Sequence, residues 1–564
     1  MTGGVVATAG GPAGTVRAPR ADEPPTGAAG PSLIHEAVER HARCTPDAVA
    51  LVDGDTRVPY ADLNAAADAW AAELRDRGAG PGGFVPVLLP RSATLVAAIL
   101  GVLKTGAAYA ALDPEWPVER LRSVARVLAP EVTVADGSRD GWEGPVWSPP
   151  ARGPRGAAEQ FRGRPVGPGR QVDGTSPAAV FFTSGTTGRP KAVVSGHRAT
   201  VSLFDGGFEP FHGGPVRPVM PQAAPVSWDG FTLETWGPLI NGGTSVLLAG
   251  GYLMPGTLRA LIEREGVNTV WLTASLFHLL LDEDPDCFEG LRHVLTGGER
   301  LSVPRVSAFL DRHPAIALTN GYGPVETCVF ATARRVRRAD CDVPSGIPVG
   351  VPVPGRRVHV LTDGRPAEPG TTGEICVSGD GVALGYLGDE ELTARMFPTV
   401  ALDGVPTRVY RTGDLGFQDT EGVLHFAGRA DRQVKVRGHR VEPEEIEAVV
   451  RALPGVADCA VVPVAPAPAP GPGPAANGDN DDNGGGGGGG GFERLALFYT
   501  AATEAADALP PQAVRRELAG RLPRHLVPDL VRRQADLPLT ANGKLDRAAL
   551  LRTLRPGNGT EADA

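Results

Sequence analysis

Thr183-Ser184-Gly185-Thr186-Thr187-Gly188-Arg189-Pro190-Lys191 gathers hydroxyls, two glycines and a closing lysine into nine residues. Such a segment suits a polyphosphate. Glycine lets backbone N–H groups approach phosphate oxygens, Ser and Thr add donors, and Lys adds charge. The P-loop motif of nucleoside triphosphatases is excluded, because it needs Gly before the Lys and Ser or Thr after it. Pro190 and Ala192 stand in those places. The blander reading is a solvated Gly/Thr linker.

Further groups suited to nucleotide chemistry follow. In Thr319-Asn320-Gly321-Tyr322-Gly323-Pro324-Val325-Glu326-Thr327 a Tyr beside a Gly-Pro turn can offer a flat face to a base, and Glu326 supplies the hard oxygen that Mg²⁺ prefers. Asp414, in Tyr410-Arg-Thr-Gly-Asp-Leu-Gly416, is a carboxylate able to accept two ribose hydroxyls. Asp229 lies among aromatic and apolar residues between Trp228 and Trp236, where an acid is costly to bury unless a cation meets it; the alternative is a helix N-cap. Lysine itself is informative. Of 55 basic residues only Lys104, Lys191, Lys435 and Lys544 are lysines, so an otherwise Arg-using chain keeps lysine at four places. Lys544 follows Asn-Gly in the loop Leu537-Pro-Leu-Thr-Ala-Asn-Gly-Lys-Leu-Asp546.

The elements that must carry these groups alternate strand and helix, which argues for layered α/β structure. Periodicity predicts helices over 33–42 and 65–77, a strand over 85–89 and a helix over 93–103. Ala178 to Phe182 reads as a buried strand delivering the chain into the first loop. Val267 to Phe277 and Leu291 to Arg300 each read as a strand leaving into a loop, and alternation puts Leu295 and Gly297 on one face. Residues 428–442 read as a charged β-ribbon entering a helix at Pro443, and Ala457 to Val464 and Arg494 to Thr500 as neighbouring strands. Between the latter two lies a low-complexity insertion, 465–491, ending in eight glycines. Residues 1–31 and 553–564 read as disordered ends, and 138–176 as a Gly/Pro/Arg-rich surface excursion.

Composition removes several function classes. A length of 564 residues with 42% hydrophobic content supports more than one core. A net charge of −10 and a pI near 5.7 leave no basic face for nucleic acid. Six cysteines without CxxC spacing argue against zinc and against a disulfide framework, which fits a reducing cytoplasm. The most apolar run, Leu95 to Leu112, is broken by Lys104 and too short to span a bilayer.

From about Leu33 to Leu551 these strings resemble, in order, the motifs of the adenylate-forming superfamily, which includes acyl-CoA ligases, luciferases and the adenylation domains of nonribosomal peptide synthetases. The resemblance implies a large N-terminal α/β core over 32–429 and a small, mobile C-terminal α+β domain over 430–552. It implies ATP and Mg²⁺ as cofactors, with the metal on Glu326. ATP or AMP would be held by Thr183, Ser184, Gly185, Thr186, Thr187, Gly188, Lys191, Gly298, Glu299, Asn320, Tyr322, Gly323, Thr327, Asp414 and Arg429. Lys544 matches the family's catalytic lysine and Asp431 its interdomain hinge. Asp229 matches the position that holds the substrate α-ammonium in amino-acid-activating members. Gly230, Leu233, Trp271, Leu295, Gly297, Gly321 and Val329 would line the side-chain pocket. That set lacks a free charge, Trp271 and the leucines occupy volume a ring would need, and the glycines leave width beside Cβ. It resembles the pockets of valine-activating domains, with 2-aminobutyrate and isoleucine as near competitors.

The chain departs from the family at Trp228, where Phe is commoner, and at Val325, where Thr is. No Gly-Gly-x-Ser carrier site or His-His-x-x-x-Asp-Gly condensation motif occurs, so the sequence reads as a free-standing enzyme loading a phosphopantetheinyl carrier protein in trans, with an MbtH-like protein as a helper of the kind the family uses. A carboxylate–CoA ligase and an inactive binding homologue are the alternatives, disfavoured by Asp229 and by intact Glu326, Asp414 and Lys544.

Overall fold

The structure is a computed structural model that describes residues 33–554 apart from 138–141, 143, 152, 157–171, 186–189, 212–215, 249, 251–252, 465–493, 502–508 and 539–544. The two chain ends, the low-complexity insertion, Thr186, Thr187, Gly188 and Lys544 therefore lie outside the described residues.

A seven-stranded sheet forms the N-terminal layer, with Lys191–Gly196, Pro177–Thr183, Ala108–Ala111 and Phe84–Leu88 consecutive across it. Pro177–Thr183 pairs antiparallel with Lys191–Gly196, Thr183 opposite Lys191, so the phosphate-suited loop is the tip of a hairpin rooted in buried strands. The helix Ala93–Thr105 is buried almost throughout, as its apolar composition requires. It begins at the cap Ser92, whose hydroxyl accepts from Leu95 N–H, and ends at Gly106 in the left-handed conformation. Lys104 sits 4% exposed near that end, paired with Glu39 and with Asp68 at 2.7 Å, so this lysine is structural.

Two elements differ from the sequence reading. The second helix starts at Tyr60, not residue 65, because the strand Thr56–Pro59 runs straight into it and the buried Tyr60 hydroxyl donates to Leu239 O (3.0 Å) and Gly243 O (2.8 Å). The strand Thr269–Thr273 passes directly into the helix Ala274–Glu283 without a loop, since Thr273 is itself the cap, its hydroxyl accepting from Leu276 N–H.

A second, five-stranded sheet places Thr269–Thr273, His293–Gly297 and Ala317–Tyr322 side by side and parallel. Register aligns Trp271 with Leu295, and Thr273 with Gly297 and Gly321, so all three strands give one face to the same space. Trp271 and Leu295 join the core of the N-terminal layer, whereas Val270, Leu272, Val294 and Leu318 pack in a separate core on the opposite face.

The C-terminal residues build their own cores. Val456–Val464 and Arg494–Ala501 pair antiparallel, Leu530–Arg533 joins Arg494–Ala501, and the helix Pro443–Arg451 packs on them around Ile446, Val450, Leu497 and Leu518. The ribbon read from sequence is Val434–Val436 against His439–Val441, and it projects toward the N-terminal layers. No helix among the described residues is long and apolar enough to cross a membrane.

Candidate active site

Asp229 precedes the helix Gly230–Ile240 but makes no side-chain cap bond. Its Oδ2 instead accepts from the Val329 N–H at 3.2 Å, and the residue is only 5% exposed. Burial pushes this carboxyl up to about 6, against the opposing effects of the Val329 N–H and of the Lys435 ammonium nearby. The cap reading is thereby set aside: the acid faces inward and is short of positive charge.

Around it stand Trp228, Trp271 and Phe330. The Trp271 ring meets Phe330 edge-on at 5.3 Å and Trp228 at 6.5 Å. Leu233, Leu295 and Val329 are buried beside them in one core. The expectation that the glycines widen the pocket is corrected here. A Cβ on Gly321 would lie 2.3 Å from the Phe330 ring, one on Gly230 2.9 Å from the Trp228 ring, and one on Gly297 2.0 Å from Gly321 O. The protein's own atoms fill that space, and the pocket is narrower than the glycine count suggested. Phe330 was missed for this reason: it follows Val329 as an unremarked apolar residue, and only the turn at Cys328 and Val329 brings its ring onto Gly321.

On the nucleotide side Tyr322 OH donates to Asp414 Oδ2 at 2.6 Å, with its ring 6.3 Å from Phe426. Burial and the Asp414 charge hold this phenol well above its ordinary pKa, so it stays a donor. Arg429 bonds Asp414 through Nη1 and clasps Asp431 through Nε and Nη2, at 2.7 and 2.8 Å. Thr327 donates to Pro324 O (2.9 Å) and so braces the Tyr322-Gly323-Pro324 turn, while Asn320 donates to Pro348 O (2.9 Å). Gly298 takes the left-handed backbone after the strand, at φ 83°. Glu299 accepts from the Ser275 hydroxyl and from Gly438 N–H at 2.9 Å.

The C-terminal ribbon supplies the remaining contacts. Arg440 Nη1 reaches both oxygens of the fully buried Glu326, at 2.9 and 2.8 Å, while Tyr386 OH donates to Oε1 at 2.9 Å. Burial is the largest influence on Glu326 and disfavours its charge, but Arg440, a backbone N–H, the Tyr386 hydroxyl and Lys191 together outweigh it and hold the carboxyl below its usual range. Lys191 Nζ lies 3.1 Å from Glu442, the Gly185 N–H 3.0 Å from Glu445 Oε2, and Ser184 Oγ 3.1 Å from Arg440 O. Thr183 Oγ1 is buried without a protein partner. Lys435 is also buried here: burial lowers its pKa, and the Asp414 and Asp229 charges oppose that. Described residues hold no cluster of three metal-ligating side chains.

Ser184, Gly185 and Lys191, the Tyr322–Asp414 pair and the buried Asp229 belong to an ATP-dependent, AMP-forming ligase, as the comparisons with known proteins show. The pattern of the AMP-binding enzyme family matches residues 38–387, and the chain belongs to that family. It is 36% identical over 518 residues to a probable non-canonical nonribosomal peptide synthetase, CymA, of Salinispora arenicola, covering 91% of this chain and 6% of CymA. It is 33% identical over 522 residues to a dimodular nonribosomal peptide synthase of Bacillus subtilis, covering 92% of this chain and 21% of that protein. The chain thus spans a small part of the length of these relatives. Among solved structures, holo-PA1221, a nonribosomal peptide synthetase protein containing adenylation and PCP domains and bound to a vinylsulfonamide inhibitor, superimposes with a TM-score of 0.77 at 33% identity, covering 93% of this chain and 84% of that one.

Proposed function

We propose that this chain activates a small branched aliphatic amino acid with ATP and passes it as a thioester to a phosphopantetheinyl carrier protein. L-valine is the first choice, with 2-aminobutyrate and isoleucine as near competitors. The observation that carries the reading is Asp229. A buried carboxylate whose pKa stays raised although the Val329 N–H and the Lys435 charge act on it is still short of positive charge, and a substrate α-ammonium is the cation that fits. Ligases for acids without an amine have no use for it. The remaining wall is apolar and is narrowed by Phe330, which disfavours charged, amide and aromatic side chains and favours the smaller aliphatic ones.

In this reading an oxygen of the amino-acid carboxylate attacks the α-phosphorus of ATP, the bond to the bridging oxygen breaks, and pyrophosphate leaves with the bonding pair. Tyr322 offers its face to the base, Asp414 accepts the ribose hydroxyls, and Lys191 with the 183–188 loop holds the leaving pyrophosphate. Lys544 pairs with the carboxylate and the α-phosphate as charge builds. Glu326 fits Mg²⁺, which takes one or two carboxylates and completes its shell with phosphate and water; the cationic Arg440 now on that carboxylate supports the fit. Bound there, the ion would offset phosphate charge.

Reorientation of the C-terminal elements about Asp431 then exchanges Lys544 for the 434–441 ribbon, and the carrier thiol attacks the acyl carbon as AMP leaves. An adenylation-PCP protein among the similar structures supports a carrier as acceptor. Pyrophosphate exchange over an amino-acid panel tests the reading. Valine is expected to be fastest, and faster exchange with a charged, aromatic or amide side chain would overturn it. In the second half-reaction, preference for coenzyme A over a carrier thiol would mark a CoA ligase instead.

A further inference from the structure

Cys328 and Val329 adopt left-handed backbone, at φ 55° and 68°, and for a β-branched valine this conformation is a true outlier. The strain has a product: it aims the Val329 N–H at Asp229 Oδ2. Something must hold the turn, and the structure supplies Arg356. This residue is 5% exposed and its guanidinium donates to carbonyls on three segments. Nε and Nη2 reach Thr327 O at 3.3 and 3.2 Å, and Nη2 also reaches Cys328 O at 3.2 Å and Ala199 O at 2.8 Å. Nη1 reaches Pro354 O at 2.9 Å and the Ser202 hydroxyl at 3.0 Å. Its charge is buried against carbonyl dipoles rather than a paired carboxylate, and burial accordingly lowers its pKa. Gly381 makes room for it, since a Cβ there would lie 2.1 Å from Nε and 2.5 Å from Cζ.

We propose that Arg356 is a positioning residue for amino-acid recognition: by gripping Thr327 O and Cys328 O it locks the left-handed Cys328–Val329 turn and so fixes the N–H that orients Asp229. The proposal rests on Asp229 being the ammonium partner. A planar five-donor fork is what the three-segment grip requires, so lysine cannot replace it.

The test measures pyrophosphate exchange in Arg356→Lys and Gly381→Ala, the second of which displaces the guanidinium without changing charge. KM for the preferred amino acid rises about tenfold, the scale of one hydrogen bond to a charged group. KM for ATP and the inhibition constant of the desamino acid (3-methylbutanoate for valine) change less than about twofold, well inside the tenfold that one such bond represents. In a Val329→Gly background the β-branched one of the two left-handed residues is relieved, so the Arg356→Lys effect on amino-acid KM is clearly diminished. An unchanged amino-acid KM, all three constants worsening together, or an undiminished effect in the Val329→Gly background each overturns the proposal. Asp229→Asn separates the two readings: if it leaves amino-acid KM unaltered the ammonium assignment fails, whereas if it raises KM and the Arg356 variants do not, the positioning role alone fails.

Discussion

At the end of the cleft proposed to take the amino acid, Trp271, Phe330, Leu295 and the close Gly297–Gly321 approach are packed by the N-terminal layers themselves. At the phosphate end, Ser184, Gly185, Lys191 and Glu326 take their partners from residues 440–445 of the C-terminal elements. The first region is preorganised and has little to rearrange on binding. The second is a set of exchangeable ion pairs in which like stands for like. On the proposed function, Arg440 sits where a metal ion would, and Glu442 and Glu445 sit where phosphate oxygens would. Because each buried charge has a partner in this arrangement, releasing the C-terminal elements to admit ATP trades one set of charge contacts for another and strands none. Trp228, 6.1 Å from His439, and Asp229, which feels the Lys435 charge, tie the two ends together.

If the phosphate end works by exchange, the largest effect comes from removing the group proposed to be brought in. Lys544→Ala is expected to lose adenylate formation several hundred-fold, about 4 kcal/mol of transition-state stabilisation, while ATP binding is largely kept. Near-normal pyrophosphate exchange would end that assignment. Next comes the preorganised end. Asp229→Asn keeps the shape and removes the charge, and the amino-acid KM should rise about a hundredfold with the ATP KM nearly unaltered, on the scale of an uncompensated buried charge.

The same carboxyl gives a pH signature. Its folded value near 6 lies above the ordinary 3.8, so the charged form that binds ammonium is lost as pH falls through 6. Amino-acid KM should climb by about tenfold per unit below that point. In the free protein the sign is opposite: the group adds stability as pH falls from 6 toward 3.8 and none above 6. A flat KM between pH 7 and 5 would show that Asp229 does not titrate against substrate.

How far the sequence could be read divides along the same line. Glycine-rich loops, Glu326, Asp414 and the order of motifs lie in local strings, and alternation alone placed Leu295 and Gly297 on one face, as the register confirms. What stayed hidden depends on contacts distant in sequence. Phe330 matters because it fills the space above Gly321, and Arg356 because its carbonyl acceptors come from residues 199, 327, 328 and 354. The mistaken inference from the glycines is instructive: a missing Cβ creates room, but only packing decides whether substrate or protein uses it.

A smaller effect follows from breaking one exchangeable pair. Arg440→Met takes the guanidinium from the buried Glu326 and leaves it the Tyr386 hydroxyl, a backbone N–H and the Lys191 charge, so the arrangement seen here becomes less favourable than the one that admits ATP. Thioester formation should slow by about tenfold, on the scale of one charge-assisted bond, with adenylate formation less affected. Single-turnover transfer from preformed adenylate would show it, and an equal loss in both half-reactions would mean that Arg440 merely holds the fold.

The smallest effect belongs to the low-complexity insertion. Val464 and Arg494 are paired across adjacent antiparallel strands, so their ends are already where a short hairpin connection would join them. Residues 465–491 carry Pro/Ala repeats, Asn, Asp and glycines with no apolar run to bury. Loop-closure entropy changes by only about 0.6 kcal/mol per doubling of length. Replacing the segment with a four-residue turn removes between two and three doublings, so stability should rise by no more than about 1–2 kcal/mol, with pyrophosphate exchange unaltered. Thermal melting and both half-reactions report on this together. A selective loss of carrier loading would turn the insertion from a passive connection into a docking element, and would add a third region to a cleft that otherwise divides cleanly into a fixed end and an exchanging one.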